Sequence, residues 1–510
     1  MMKSFLIHPF VVAIFPALAL YTHNAQELPL SRILAPVAVS LAAALLVFLV
    51  IWFLCRNAKK AGIIVSILVA LMFSTGQVFT LTTWLGIGEP YVGGVLLFVI
   101  WAVLFPYVVY LIWRTQKTLR YPTMILNVMA VFLLISCLFR IGIAEAGRLD
   151  QDPVSSETGT AVELTTAGGQ VLPDIYYIIL DRYASNSMLA EVYDFDNSEF
   201  FGYLSDAGFY VASESSANYV RTLQSLASSL NMEYIDYMDE ESSDQTALDA
   251  KLEDYTVQRS LKSAGYTFVH VGSWWDPTRE NSFADVNINY KAEISEFSES
   301  LLSSVMPYSV FSELGVVGDR YINQWERTVY EFDQLAQIPS MEEPTFVFAH
   351  MLVPHVPYVF DSDGSFLPPE EAKERSDRDN YINQVMATNT MVRELVDQLL
   401  SRSEAAPVII LQADEGPYPE RYTADVRGFD WQQATDMEIR QKMGILNAYY
   451  LPGVDSSVLY PSISPVNSFR LVFDLYFGTN LGLLPDVSYI HVDYYHPYVF
   501  LDVTDKLGSQ

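Results

Sequence analysis

The chain changes character near residue 150, and that break limits what it can fold into. Residues 1–150 hold 10 Lys/Arg and 4 Asp/Glu, whereas residues 151–510 hold 20 and 56. A balance of +6 gives way to −36, which sums to the −30 of the whole chain. The first part carries apolar stretches near 5–21, 33–55, 62–82, 93–113 and 122–143. Each approaches the roughly 20 residues that cross a bilayer as a helix, so residues 1–144 are predicted to form five spans. His8, Pro9 and Pro16 interrupt the first. A cleaved signal peptide is the rival for that stretch alone, but it lacks a clear small-residue cleavage site and more apolar stretches follow.

Loop charges set the orientation. Lys3 precedes the first span, Arg56, Lys59 and Lys60 follow the second, and Arg114, Lys117 and Arg120 follow the fourth. The alternate loops, 22–32 and 83–92, hold only Arg32 among Lys and Arg. The N-terminus is therefore expected in the cytoplasm, and everything after the fifth span on the far side of a bacterial-type inner membrane. Arg140 lies near the outer end of the fifth span, and no charged relay runs through the spans, so they read as an anchor.

Residues 145–172 read as a linker, being polar and Gly-containing over most of their length. Residues 173–510 are then one external domain. Cys55 and Cys137 both belong to the apolar part, so no disulfide staples this domain, which must rest on a large core. Its acidic excess argues against a nucleic-acid partner, because a surface that binds phosphate backbones is basic.

Within the domain, strand-like runs near 174–180, 208–213, 266–271, 345–351, 408–413 and 447–453 alternate with helical patterns near 186–206, 222–231, 293–336, 379–400 and 465–478. That alternation predicts an α/β fold with a mostly parallel sheet flanked by helices. Four runs lead straight into groups able to bind metal or phosphate. PDIYYIIL ends at Asp181, YTFV at His270, TFVFA at His350 with His355 beyond, and VIILQA at Asp414 and Glu415. Ligands of such sheets collect at the carboxyl ends of the strands.

Asp181 can be a hard-metal ligand or an N-cap. Asp414 and Glu415, adjacent at a strand end, repel each other unless a cation sits nearby or the turn is solvated. Thr222 opens a helical stretch whose free N–H groups suit an oxyanion. A hydroxyl there, touching a divalent cation, can attack phosphorus. An ordinary Thr cap is the alternative, and Ser225, Ser228 and Ser229 are competing hydroxyls. His355, between prolines, is favoured over His350 to meet a substrate oxygen; His350 fits a buried, hydrogen-bonded place. Trp274 and Trp275 can wall a pocket or pack a core, and His491 and His496 read as structural.

The strings PDIYYIILDRYAS, NYVRTLQSLASSLN, HMLVPHVPYVFD and LQADEGP resemble the sulfatase-like branch of the alkaline phosphatase superfamily. The plan is similar to that of lipoteichoic acid synthase and related membrane phosphotransferases. The resemblance implies one divalent metal ion held by Asp181, Thr222, Asp414 and Glu415, with Thr222 as nucleophile and His270 and His355 on the substrate's phosphate. Three departures stand out. Glu415 replaces a frequent His, which either hardens the site toward Mg2+ or Ca2+ rather than Zn2+ or weakens it; the expected ion is Mn2+, Mg2+ or Ca2+. Thr222 cannot become the formylglycine of true sulfatases. Arg182 stands where a small residue is frequent, and its cation can hold a substrate anion. The expected function is a membrane-anchored phosphotransferase or phosphodiesterase acting on envelope lipid or glycan head groups. A sulfuric ester hydrolase and a catalytically inactive sulfatase-fold binding module are the alternatives.

Overall fold

A computed structural model of the protein describes residues 5–73, 90–150, 160–165, 172–291, 295–305 and 319–508, with only the backbone at 90–100 and 149–150. The chain divides into two compact units, Met1–Gln151 with Ile294–Asp319, and Asp152–Glu293 with Arg320–Gln510.

The first unit is helical. Its helices are His8–Asn24, Leu34–Cys55, Ala58–Phe73, Pro90–Arg114 and Arg120–Asp150. Among the described residues, two segments are long and apolar enough to cross a membrane, Leu30–Cys55 and Arg120–Arg148, with a shorter apolar helix at Trp101–Arg114. The expectation of five spans is met to that extent. The third apolar stretch passes beyond residue 73, outside the described residues, and the first helix has only 17 residues with Pro16 inside it. Phe53, Leu54, Phe132 and Phe139 are each more than 60% exposed, the surface expected of helices that face lipid.

Ala13, Ala44 and Val65 pack together, and such small residues let helices approach closely. Polar groups then fix the pairing. His8 Nδ1 meets Ser66 Oγ at 2.6 Å, and the Tyr21 hydroxyl donates to Glu145 at 2.7 Å. Arg148 donates to Glu145 and to the carbonyls of Ala25 and Leu28. The helix Glu296–Ser303 belongs to this unit, although its sequence position lies within 173–510. Phe297 and Leu301 on its inner face pack among Leu18, Tyr21, Ile33, Cys137 and Ile141.

The second unit is built on a seven-stranded sheet with order β2-β7-β6-β1-β5-β3-β4. The strands are β1 (Ile175–Leu180), β2 (Tyr210–Val211), β3 (Thr267–Val271), β4 (Val286–Ile288), β5 (Thr345–Met351), β6 (Val408–Gln412) and β7 (Asn447–Tyr450). Strands β6, β1, β5, β3 and β4 run parallel; β7 runs antiparallel to β6, and the edge strand β2 pairs antiparallel with β7. Every residue of β1 is buried. Tyr176, Ile178 and Leu180 feed one apolar cluster and Ile175, Tyr177 and Ile179 the other. A strand covered on both faces needs such a continuous apolar run, which is why IYYIIL reads so plainly. A separate ribbon pairs β8 (Tyr489–His491) with β9 (Phe500–Asp502).

Candidate active site at the sheet's carboxyl rim

Strand β1 lies between β5 and β6, with Ile179 opposite His350 on one side and Gln412 on the other. The carboxyl ends of β6, β1 and β5 therefore lie side by side in that order. Asp181 follows β1 immediately and its amide donates to the Met351 carbonyl at 3.0 Å. Asp414, His350 and Asp181, far apart in sequence, offer one ligand atom each within 4.8 Å of one another. All three are buried, with exposures of 2% or less.

Their polar atoms are unsatisfied. Among the described residues, Asp181 Oδ1, His350 Nε2 and both Asp414 carboxylate oxygens have no hydrogen-bond partner. Buried polar groups are almost always paired, and a set of orphaned acceptors aimed at one point is what a divalent cation requires. Burial pushes Asp181 up, but His355, His350 and Arg182 outweigh it and hold the carboxyl well below the usual range. Burial, with Asp181 and Glu415 beside it, pushes Asp414 well above the usual carboxylate range. Two acids driven apart in this way share too little positive charge, and the residues fit a metal ion.

His350 is held for that task. Its Nδ1 meets Thr278 Oγ1 at 2.9 Å, and Thr278 Oγ1 meets Ser273 Oγ at 2.8 Å. The second ring nitrogen, Nε2, lies 3.5 Å from Asp181 Oδ2. A partner on one imidazole nitrogen that orients the other is the usual support of a metal-ligating His. His270 stands one step behind, with Nε2 donating to the Thr278 carbonyl at 2.8 Å. It is buried and supports Thr278. Burial pulls it down to about 4.

Thr222 is the first residue of the helix Thr222–Asn231, whose N-terminus carries no side-chain cap. Its side chain favours the charged form of the Asp414 carboxylate. The competing hydroxyls are spent elsewhere. Ser225, Ser228 and Ser229 donate to the carbonyls of Tyr219, Glu233 and Leu226, and all three are buried. Thr222 alone of the four is partly exposed.

Glu415 is buried beside Asp414; its Oε1 turns to protein cations, while its Oε2 has no hydrogen-bond partner among the described residues. Its Oε1 lies 2.7 Å from Lys442 Nζ and 3.3 Å from Arg182 Nε. It is outside the Asp181–His350–Asp414 group. Arg182 has a positive φ of 63°, and its guanidinium lies 4.4 Å from the Tyr418 ring centre. His355 is half-buried, with Nδ1 donating to the Val356 carbonyl and its ring 6.3 Å from that of Trp274. Burial, then Arg182, pulls His355 down to about 4, while Asp181 acts in the other direction.

The spacing of residue types therefore brought Asp181, Thr222, Asp414, Glu415, Arg182 and His355 to one rim. It set His350 aside, and it gave no weight to Lys442 or Thr278. A His on the face otherwise filled by Phe346 and Phe348 was the available signal for His350.

A protein-family description named Sulfatase matches residues 173–445, just over half of the chain. Among solved structures, the chain is similar to the C-terminal periplasmic domain of EcEptC from Escherichia coli, with 12% identity, 69% of this chain and 100% of that one covered, and a TM-score of 0.46. It is similar to the integral membrane lipooligosaccharide phosphoethanolamine transferase A (EptA) from Neisseria meningitidis, with 11% identity, coverage of 92% and 94%, and a TM-score of 0.42. It is also similar to the lipoteichoic acid synthase LtaP from Listeria monocytogenes, with 12% identity, coverage of 63% and 78%, and a TM-score of 0.38. No curated protein sequence matches. The matched span holds the strand ends that carry Asp181, His350 and Asp414 together with Thr222, and the chain belongs to the sulfatase family.

Proposed function

We propose that the protein is a membrane-anchored, metal-dependent phosphotransferase or phosphodiesterase that acts on envelope lipid or glycan head groups through Thr222. The convergence of Asp181, His350 and Asp414, with unpaired buried oxygens and a threonine hydroxyl beside them, carries this reading. Five spans with a cytoplasmic N-terminus would hold the second unit outside the inner membrane, within reach of lipid head groups.

Asp181, His350 and Asp414 would hold one divalent cation, with Thr222 completing its shell. Two carboxylates and an imidazole suit Mn2+ or Zn2+ better than Ca2+ or Mg2+. When bound, the cation supplies positive charge that favours the ionised Thr222 oxygen and the charge spread over the phosphoryl oxygens. Thr222 Oγ1 forms a bond to phosphorus as the ester bond to the leaving alcohol breaks. The hydroxyl proton departs with that alcohol. Water or a second alcohol then displaces the phosphoryl group from Thr222, which recovers a proton. His355, neutral with Nδ1 committed to Val356, presents Nε2 as acceptor for the entering hydroxyl's proton. The uncapped N-terminus of the Thr222 helix faces the phosphoryl oxygens with N–H groups. A sulfate-ester hydrolase would need Cys or Ser where Thr222 stands.

The test is turnover of glycerophosphate- and phosphoethanolamine-type diesters by the full-length protein with Mn2+. Thr222→Ala is expected to lower kcat by roughly a thousandfold. Equal turnover by the two proteins would remove Thr222 from the reaction.

A further inference from the structure

The second acid of the Asp414–Glu415 pair has different partners from the first: Glu415 Oε1 meets two cations, whereas neither Asp414 oxygen has a hydrogen-bond partner among the described residues. Lys442 is completely buried. Its ammonium meets Glu415 Oε1 at 2.7 Å, donates to the Gly416 carbonyl at 2.9 Å, and lies 3.2 Å from the Tyr418 ring centre. The approach is built into the backbone. The Gly416 amide donates to the Lys442 carbonyl at 2.8 Å, and a Cβ on Gly416 would fall 2.4 Å from the Gln441 carbonyl oxygen. Only glycine lets the end of the helix Asp436–Met443 come so close to the loop after β6.

The same Glu415 oxygen holds Arg182 Nε at 3.3 Å, and the Tyr418 ring supports the guanidinium. Arg182 also lies 3.9 Å from Asp181. It therefore sits at the rim of the group of Asp181, His350 and Asp414. In formal charges, three acids here face two fixed cations, Lys442 and Arg182. One more divalent cation makes the set positive and ready for an anionic ester.

We infer that Glu415 is not a metal ligand in this chain: Lys442 holds it as the anchor of Arg182, and Arg182 grips the phosphate of an anionic phosphodiester. Glu415 and Lys442 are thus positioning residues that act through Arg182. The inference rests on the metal-dependent phosphoryl transfer proposed above.

The test replaces both charges at once, Glu415→Gln with Lys442→Met, in the full-length protein. Removing both members of a buried pair leaves no lone buried charge. Mn2+ affinity by calorimetry is expected to stay within about threefold of wild type, because the net charge around the ion is unchanged. KM for the diester is expected to rise roughly tenfold with kcat little changed, the mark of lost ground-state binding. Arg182→Gln should show the same KM, and adding it to the double variant should add nothing further. A loss of Mn2+ affinity as large as that of Asp414→Asn would make Glu415 a ligand, and an unmoved KM would make the pair merely structural. Either result overturns the inference. A wild-type crystal loaded with Mn2+ decides the point without any variant. Both Glu415 oxygens should lie beyond about 3.5 Å from the ion, and either one within the roughly 2–2.6 Å bonding range overturns the inference. If the wild-type protein binds no divalent ion at all, the functional reading falls and this inference with it. If it binds one that touches Glu415, only this inference falls.

Discussion

His350 Nε2 and Asp181 Oδ2 face each other at 3.5 Å where β5 and β1 end side by side. With no hydrogen-bond partner on that nitrogen among the described residues, the pair makes the sheet's rim a place for a cation. His350→Gln is expected to weaken Mn2+ or Zn2+ binding by more than roughly a hundredfold, since loss of a supporting residue alone costs about 10–100-fold. Calorimetric titration of both proteins checks this. Unchanged affinity would remove His350 from the ligand set.

Thr278 provides a second handle on the same imidazole. Thr278→Val keeps the shape but removes the hydroxyl that meets His350 Nδ1. Metal affinity should fall roughly tenfold or more, and the melting temperature of the metal-free protein should drop as well, because the His350 nitrogen is left unpaired at about 1–3 kcal/mol. Scanning calorimetry with and without metal separates the two effects.

His270 gives the protein a pH-dependent stability. Burial depresses it from 6.5 to about 4, so between those values the unfolded chain binds the proton and the folded one does not. Stability from this group is complete above about pH 6.5 and declines as pH falls toward 4, by roughly 3 kcal/mol in all. His491, depressed by burial in the same direction, adds to the slope. The melting temperature should fall between pH 7 and pH 4.5, and His270→Asn should flatten that fall while lowering stability at pH 7. A wild-type melting temperature that is flat over this range would contradict the assignment.

Topology has its own test. A cysteine placed at Tyr237, which is exposed in the second unit, should react in intact cells with a thiol reagent that does not cross the membrane. A cysteine at Lys59, in the basic loop after the second span, should react only after the cells are opened. The opposite pattern would invert the orientation.

Much of this architecture could be read from residue pattern because parallel strands buried on both faces leave an unmistakable apolar run. Residues 345–351 coincide with β5, and 222–231 with the helix Thr222–Asn231. The small strands β4, β8 and β9, of three residues each, were too short to leave a period. The predicted helix at 186–206 is two helices, Asn186–Tyr193 and Ser198–Asp206, with Asp194 at a positive φ between them. At the site, strand ends pointed to Asp181 and Asp414, because β1 and β6 are sheet neighbours. Lys442 escaped notice because its importance comes from burial against Glu415 and Tyr418, a relation that spacing along the chain does not carry. His350 was set aside because a His inside an apolar strand is ordinarily satisfied by local partners; here one nitrogen is and the other is not.

Phosphoryl transfer through Thr222 is tested most directly by mass spectrometry of the full-length protein quenched during turnover of a phosphodiester donor. The peptide containing Thr222 should carry the donor's phosphoryl adduct on that residue, and the adduct should vanish with chelator and in Thr222→Ser only by moving to the serine at that position. An unmodified Thr222 under turnover, or an adduct on Ser225 instead, would contradict the assignment.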